Sequence, residues 1–339
     1  MKDEMIEKNH LSVVSTVFVL LLLLSCSAQD MNKSIKASLK LIHTVSLQNV
    51  KGRIDHLEFN SKLNIAYVAA LGNNTVEAVD LRNLKIVHTI KGLSEPQGIC
   101  FISAGNSLFI ANGSSGICDV FDAGSYKKLT SISLGSDADN VRYDPLSNRV
   151  YVGYGDGAIA VIDVSKFRKL AEIKLPAHPE SFQLDDKRIY VNVPEAHEID
   201  VINLERSSVE TKWKIKDASS NFPMALDKVN HRLFIGCRHP AKLLVVDTEN
   251  GKTVASLNID SDTDDLNYDS SSKQLLVSCG SGKVDIIKQI DQNKYKIISV
   301  INTRSGARTS LFIPELKQLI VAAPAITGKE AELLIYGNN

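Results

Sequence analysis

The chain has 339 residues, of which 44% are hydrophobic and 23% are charged, so it can bury a sizeable core and is not a disordered, collagen-like or disulfide-dense protein. Lys and Arg together number 39, and so do Asp and Glu, which gives a net charge of zero. This balance offers no electrostatic reason to expect a nucleic-acid partner, because such partners are held largely by clustered cationic contacts to phosphate.

The first element in the chain is an apolar run over residues 11–24. The run is shorter than the roughly 20 residues that a membrane-spanning helix needs, and its length is typical of a signal-peptide core. It ends in Leu23-Leu24-Ser25-Cys26, which resembles the bacterial lipobox, whose cysteine is acylated and becomes the mature N-terminus. The sequence therefore predicts a lipoprotein signal peptide over 1–25, lipidation of Cys26 and a polar tether over 26–36. An ordinary signal peptide followed by an incidental cysteine is the alternative.

Beyond residue 37, β-rich runs alternate with turns rich in Gly, Asn, Asp and Pro, and one type of run recurs seven times. The centres of these runs are 42, 42, 39, 44, 42 and 44 residues apart. They are Tyr67, Phe109, Tyr151, Tyr190, Phe234, Leu276 and Ile320. A period of roughly 40–45 residues with four strands per unit is typical of a β-propeller blade. The sequence therefore predicts an all-β, seven-bladed β-propeller over 37–339, with four antiparallel strands per blade; a β-sandwich and two separate β domains are the alternatives.

Each unit has the same internal pattern, in which the recurring run is the second strand. The third strand ends in Asp or Asn at five places: Asp80, Asp122, Asp163, Asn203 and Asp247. The seventh unit stops after a third strand at 332–336, and a suitable fourth strand is available at 39–47. Pairing these two segments would close the ring and cover strand edges that would otherwise be exposed.

The repeats resemble those of bacterial YVTN-type propellers, a group related to surface-layer repeat proteins. The most literal match is Phe109-Ile110-Ala111-Asn112, and it is supported by Tyr67-Val68, Tyr151-Val152 and Tyr190-Val191. The segment 306–315 is also similar to envelope members of this group. The resemblance implies a propeller of the cell envelope and no defined reaction, because propellers host many unrelated activities.

The first strand of each propeller blade lines the central channel, so counting back from each second-strand centre identifies the residues at the channel entrance. The seven entrance positions are Asp55, Gln97, Asp139, Glu180, Phe222, Asp264 and Arg308, and the positions after them include His56, Asn140 and Asp265. Four entrance positions are acidic and Arg308 is the one cation among them. All of these residues except Phe222 are predicted to form a ligand-binding channel mouth. A solvated polar mouth that binds nothing is the alternative.

Carboxylates that converge on a channel need counter-charge, which Arg308 or a hard cation such as Ca²⁺ could supply. The predicted ligands of any bound metal are Asp55, His56, Glu180 and Asp264. His178, His197 and His239 are further histidines on the same face, and they suit a softer metal. The acidic run 260–265 is similar to a calcium loop, but it has Asp where an EF-hand needs Gly, so that motif fails. No other cofactor is expected, because no haem, P-loop or dinucleotide motif is found.

Four cysteines follow Cys26 in the chain, and all four are predicted to be free, buried thiols. Cys100 and Cys118 fall on the first and third strands of one blade, which places them about 9–10 Å apart. Cys237 and Cys279 fall on second strands of neighbouring blades, and packed sheets are about 10 Å apart. A disulfide needs Cα atoms within about 7 Å, so neither pair is expected to form one.

Together these features predict a monomeric lipoprotein of the cell envelope, attached to a membrane through its lipid only. Ser27 stands where an inner-membrane retention signal commonly places Asp, which favours the outer membrane, facing the periplasm or the cell surface. The predicted function is that of a non-catalytic propeller scaffold that binds a protein, a glycan or a small ligand on the face bearing the channel entrance. The alternative is a metal-dependent, lactonase-like hydrolase that uses the acidic mouth, and no catalytic residue is assigned.

Overall fold

The computed structural model describes residues 39–338, which form 28 β-strands in seven four-stranded sheets. Two short 3-10 helices, Leu71–Asn73 and Pro194–Ala196, lie in turns between second and third strands. No helix in this part of the chain is long and apolar enough to cross a membrane. The predicted signal peptide, Cys26 and the predicted tether lie outside the described residues.

The strands are numbered in chain order, and β1 (Lys40–Leu47) precedes the first complete blade. Blade 1 contains β2 (Leu57–Asn60), β3 (Ile65–Ala70), β4 (Thr75–Asp80) and β5 (Lys85–Ile90). Blade 2 contains β6 (Pro96–Ile102), β7 (Ser107–Asn112), β8 (Ile117–Asp122) and β9 (Lys128–Ser133). Blade 3 contains β10 (Ala138–Asp144), β11 (Arg149–Tyr154), β12 (Ala158–Asp163) and β13 (Arg168–Lys174).

The remaining blades repeat this arrangement. Blade 4 contains β14 (Phe182–Leu184), β15 (Arg188–Val193), β16 (Glu198–Asn203) and β17 (Ser208–Lys214). Blade 5 contains β18 (Ser219–Asp227), β19 (Arg232–His239), β20 (Ala241–Asp247) and β21 (Thr253–Asn258). Blade 6 contains β22 (Thr263–Asp269), β23 (Gln274–Cys279), β24 (Lys283–Asp291) and β25 (Lys294–Asn302). Blade 7 contains β26 (Thr309–Ile313), β27 (Gln318–Ala323) and β28 (Ala331–Gly337), together with β1.

Within each of the first six blades, the strands are hydrogen-bonded in chain order and antiparallel. Blade 7 has the order β1-β28-β27-β26, so the first described strand completes the last sheet. Val45 of β1 lies opposite Leu333 of β28, and Leu47 lies opposite Ala331. The predicted seven-bladed propeller and the predicted closure of its ring are both confirmed.

The hydrophobic core lies between neighbouring blades, and the second strands are buried on both faces. Tyr67 of blade 1, for example, shares a buried cluster with Leu108 and Ile110 of blade 2. The outermost strands are far more exposed, as in β13, where Ile173 is buried and the other six residues are exposed. This is why the Tyr/Phe-Val runs of the second strands gave the strongest repeat in the sequence.

The Asp and Asn residues at the ends of third strands close the hairpins to the fourth strands. The Asp80 Oδ1 atom accepts the backbone N–H of Arg82 at 2.8 Å, and the Asp163 Oδ1 atom accepts that of Ser165 at 2.9 Å. The Asn203 Oδ1 atom plays the same part by accepting the N–H of Arg206 at 2.9 Å. These bonds satisfy backbone donors that the turn leaves unpaired, so the repeated acid has a structural role.

Irregular pairing at the start of the inner strands places the predicted entrance residues at the channel. In four blades the register between first and second strands shifts at this point, as in a β-bulge. The shifts enclose Gln97, Asp139, Phe222 and Asp264. In the other three blades the entrance residue precedes the first strand, which begins at Leu57, Phe182 or Thr309. Bulges re-aim side chains, and here they free the entrance residues from the regular ladder.

Candidate functional site

The channel mouth is a cavity of about 480 Å³ whose wall contains six of the seven predicted entrance residues. These are Gln97, Asp139, Glu180, Phe222, Asp264 and Arg308. Other parts of the wall come from Arg53, Leu71, Glu95, Asp137, His178 and Arg238. Counting back from the second strands therefore identified half of the residues that line the mouth.

The mouth leads into a narrow part of the channel with a volume of about 20 Å³. The seventh entrance residue, Asp55, lines this part together with His56 and Asn140. A second cavity of about 350 Å³ shares His56 with the narrow part and also contains Asp265 and Glu58. The nine residues predicted for the mouth are thus distributed along the channel, and Asp265 lies in its far cavity.

Three arginines of the mouth are paired with aspartates. The Arg53 Nη2 atom lies 2.8 Å from the Asp55 Oδ2 atom. The Arg308 Nη1 atom donates to the Asp262 carboxylate at 2.9 Å and 3.1 Å, and its Nε atom lies 3.5 Å from Asp264. Arg308 is therefore not the lone cation of the mouth.

Arg238 is held more tightly than the other two arginines of the mouth. Its Nε atom donates to the Thr263 carbonyl oxygen at 2.9 Å, and its Nη2 atom donates to the Asp264 Oδ1 atom. Its guanidinium also lies over the Phe222 ring, 4.1 Å from the ring centroid, in cation–π geometry. Phe222, the one apolar residue among the seven entrance positions, thus contacts the Arg238 cation.

Burial raises the pKa values of two mouth acids, and neighbouring carboxylates add to the shift. Burial, with the charge of Asp139 next in importance, raises the pKa of Glu180 to about 8. Burial and the charge of Asp55 raise the pKa of Asp264 to about 6, although Arg238 opposes this shift. Glu180 makes no hydrogen bond or ion pair through its carboxylate with any described residue, although the charge of His178 opposes the rise of its pKa.

His56 lies between two carboxylates in the narrow part of the channel. Its Nδ1 atom is 3.5 Å from Asp265, and its Nε2 atom is 3.7 Å from Asp55. Burial alone would lower the pKa of His56, but Asp265 and Asp55 together raise it to about 10. A protonated His56 therefore compensates the negative charges of Asp55 and Asp265 in the narrow part of the channel. Each of its ring nitrogens faces one of these carboxylates.

A second histidine, His178, lies beside two mouth acids. One ligand atom from each of Asp139, His178 and Glu180 can be chosen so that all three lie within 4.8 Å of one another. Burial lowers the pKa of His178, but Asp139 and the Gly155 carbonyl oxygen outweigh this effect and raise it to about 9. Burial raises the pKa of Asp139, yet His178 and the charge of His56 bring it below its ordinary value.

The four residues predicted as metal ligands do not form one group of this kind. Glu180 is grouped with Asp139 and His178, while Asp55 and His56 lie beside each other and Asp264 is bound by Arg238. Of the other histidines, His239 contacts the Ser220 hydroxyl at 3.0 Å through Nδ1, and His197 follows a 3-10 turn. Neither lines the mouth cavity.

Aspartates of the acidic run 260–265 pair with cationic side chains of the protein. The Asp260 Oδ1 atom is 2.9 Å from the Lys283 Nζ atom, and Asp262 binds Arg308.

The four described cysteines, Cys100, Cys118, Cys237 and Cys279, are free and buried, which confirms the prediction for them.

The wall residues outside the predicted entrance positions, of which only His178 was placed on this face from the sequence, have a periodic signal of their own. Arg53, Glu95, Asp137 and His178 each precede an entrance residue by two positions, and so does Asp262, which binds Arg308. The offset used for the entrance positions, moved by two residues, would have found this second ring. Arg238 follows a different rule, because it lies near the end of a second strand.

No protein-family model matches the chain, and no curated protein matches it. Among solved structures, it is similar to a chain of hydrazine synthase from Kuenenia stuttgartiensis, with 16% identity and a TM-score of 0.74, over 86% of this chain and 98% of that one. It is also similar to a chain of the mitotic checkpoint complex, with 13% identity and a TM-score of 0.75, over 89% of this chain and 93% of that one. At these identities the likeness establishes the seven-bladed β-propeller fold alone.

Proposed function

We propose that the protein is a non-catalytic binding scaffold of the cell envelope, which holds a small polar ligand in the channel mouth. The observation that carries this proposal is the mouth cavity itself. Its volume of about 480 Å³ lies within the range of roughly 300–1,000 Å³ that is typical of small-molecule sites, and its wall is almost entirely charged or polar. A protein or a glycan remains the occupant to be tested if no small ligand binds.

The charges of the wall favour a ligand that carries both an anionic and a cationic group. Arg238 and Arg308 lie together on one side, around Asp264. Glu180 contributes a carboxylate that is not engaged by any arginine within the described residues. A carboxylate of the ligand would bind the arginines, and an amine would bind Glu180.

Ligand binding is tested by the melting temperature of the purified chain in the presence of amino acids, dicarboxylates, amines and oligosaccharides. A ligand that binds only the folded state raises the melting temperature, and the rise grows with the logarithm of the ligand concentration once this exceeds Kd. Arg308→Ala should weaken the binding of anionic groups, and Glu180→Gln should weaken the binding of cationic ones. Arg82→Ala, which removes an exposed cation outside the mouth, is the control. If no compound changes the melting temperature, the small-ligand proposal is wrong.

The envelope location rests on the apolar run 11–24, on Cys26 and on the resemblance to YVTN-type propellers. We propose that Cys26 is acylated and that the protein is attached to the outer membrane as a monomer. Cys26→Ala should prevent acylation and release the protein from the membrane fraction. Membrane association that survives this change, together with an unmodified Cys26 in the wild-type protein, would contradict the proposal.

A second candidate function is metal-dependent hydrolysis, and the grouping of Asp139, His178 and Glu180 favours it. Such catalysis needs a metal held by a few fixed ligands and a base that activates water. Lactone and ester substrates, offered with and without added divalent metal, test this candidate. Turnover that EDTA abolishes would make the protein an enzyme, whereas binding without turnover supports the scaffold.

A further inference from the structure

One wall of the mouth brings together an imidazole and two carboxylates from neighbouring blades. Asp139 lies in the irregular start of β10 in blade 3, while His178 and Glu180 precede β14 in blade 4. Glu180 is fixed by its backbone, because its N–H donates to the Asn192 carbonyl oxygen at 3.0 Å. The three side chains converge although two of them come from a different blade.

The hydrogen bonding of His178 selects one of its two ring nitrogens. The Nδ1 atom lies 2.7 Å from the Gly155 carbonyl oxygen, which can only accept, so Nδ1 is the donor. In the neutral ring this leaves the lone pair on Nε2, the atom that lies 3.9 Å from the Asp139 carboxylate. Histidines that bind metals usually donate their other N–H to a backbone carbonyl or a carboxylate in the same way.

Two buried oxygen atoms beside this group have no partner. The Asp139 Oδ1 atom and the Asn140 Oδ1 atom accept no hydrogen bond from any described residue. Asp139 is only 6% exposed and Asn140 only 1%, and both line the narrow part of the channel together with Glu180. A buried acceptor without a donor destabilises the folded protein, and a cation bound beside these oxygens would remove that cost.

Protein cations do not meet this need. Arg238 and Arg308 are committed to Asp264 and Asp262, and Arg53 is committed to Asp55. His56 is engaged between Asp55 and Asp265, and the imidazole of His178 beside Asp139 is itself a good metal ligand. One divalent ion in this position would satisfy the carboxylates and the unpartnered oxygens together.

We propose that Asp139, His178 and Glu180 bind one divalent transition-metal ion such as Zn²⁺, with the Asn140 Oδ1 atom as an additional oxygen beside it. An imidazole nitrogen with carboxylate oxygens is a donor set that suits zinc, with bond lengths of roughly 2.0–2.2 Å. Ligand atoms that already lie within 4.8 Å of one another need only small side-chain movements to reach this geometry. Calcium sites are built from oxygen ligands, whereas this site offers an imidazole nitrogen as well.

The metal site shares Glu180 with the amine position proposed for the polar ligand and supplies the ion that the hydrolytic candidate needs. The ion itself is bound by the protein's own side chains, so its binding is measured without any organic ligand or substrate. The full chain, purified in detergent and stripped with EDTA, is titrated with Zn²⁺ by calorimetry. We expect one equivalent to bind, and Co²⁺ to bind in its place with visible absorption bands that report a nitrogen-containing site. His178→Ala and Glu180→Gln should each weaken Zn²⁺ binding by at least about tenfold and alter the Co²⁺ spectrum.

Two matched controls separate this site from weak binding elsewhere. His239→Ala removes a histidine from the same face, and Asp260→Asn removes a carboxylate that binds Lys283 outside the mouth cavity, so both should leave Zn²⁺ affinity unchanged. Circular dichroism verifies that each variant is folded, and His178→Gln replaces His178→Ala if the latter is not. The proposal is overturned if the wild-type chain binds no stoichiometric Zn²⁺, if His178 variants bind it as well as wild type, or if Ca²⁺ binds and Zn²⁺ does not.

Discussion

Val45 of β1 lies opposite Leu333 of β28, so residues 288 positions apart in the chain are cross-strand neighbours in blade 7. Val45 is 2% exposed, and it belongs to a buried cluster that includes residues of blades 7 and 1. The contact closes the ring, because without β1 the strand β28 would present an unpaired edge.

Val45→Asp should therefore open the ring. Placing a carboxylate in this cluster is expected to cost more than about 3 kcal/mol, since the charge would be buried without a partner. Val87→Asp is the matched control, because Val87 lies on the fourth strand of blade 1 and is 44% exposed. Chemical denaturation and size-exclusion chromatography measure the outcome. If Val45→Asp stays monomeric and unfolds together with the control, β1 does not hold the ring closed.

Arg238 and Arg308 should differ in their contribution to stability. Arg238→Ala removes a cation–π contact with Phe222 and leaves the carboxylate of Asp264 and the carbonyl of Thr263 without their donor, so we expect a loss of about 1–3 kcal/mol. Arg308→Ala should cost less than about 1 kcal/mol, because its partner Asp262 is 40% exposed. Urea denaturation of both variants tests the order, and an equal loss would contradict it.

Arg232 should be among the most sensitive cations in the protein. It binds Asp247 within blade 5 at 2.9 Å and reaches Asn293 of blade 6 at 2.8 Å, and its side chain is only 6% exposed. Arg232→Ala is expected to cost about 3–5 kcal/mol, because it leaves the Asp247 carboxylate, which is only 14% exposed, without its cation. Arg188 occupies the same position in blade 4, but it is 37% exposed and binds Glu210 at the surface. Arg188→Ala is therefore expected to lower the free energy of unfolding by less than about 1 kcal/mol.

Glu58 in the far cavity should make stability depend on pH. Burial raises the pKa of Glu58 to about 7, although the backbone N–H of Phe59 opposes this shift. Because the folded protein holds the proton more tightly than the unfolded chain, stability is highest below the ordinary pKa of 4.5 and falls as the pH rises toward 7. Glu58→Gln keeps the acceptor and removes the charge.

The variant should therefore gain about 1–3 kcal/mol over wild type at pH 8.5 and almost nothing at pH 4.5. Glu205→Gln, at an exposed position, is the control and should change the melting temperature equally little at both values. A Glu58→Gln variant that is no more stable than wild type at pH 8.5 would show that the carboxylate is solvated in the folded protein.

The sequence was informative about the blades because their signals are local. Tyr67 and Phe109 lie in strands buried on both faces, so each is followed by an apolar run wherever the chain passes through the middle of a blade. A fixed offset from these centres located the entrance residues in six blades. Blade 4 differs because Gln183 pairs with Tyr190 across a hairpin two residues shorter than the one that joins Arg142 to Tyr151.

The chemistry of the mouth could be predicted only in part, because it depends on contacts between blades. His178 meets the Gly155 carbonyl oxygen, which belongs to a turn of the preceding blade, and no local pattern connects the two. Arg238 leaves the end of its own strand to bind Asp264 of the next blade. Both contacts depend on the direction in which a side chain points. The spacing of the repeats in the sequence shows only at which end of a strand a residue lies.

The irregular pairing at the start of the inner strands affects how residues of the mouth can be substituted. Gln97, Asp139, Phe222 and Asp264 lie where the ladder is interrupted, so none of them is paired across the sheet with a second-strand residue. Substituting one of them changes the surface offered to a ligand and leaves the cross-strand neighbours of the blade as they were. Gln97 is the position at which the mouth can be changed with least effect on other contacts, because Phe222 and Asp264 also contact Arg238 and Asp139 lies beside His178.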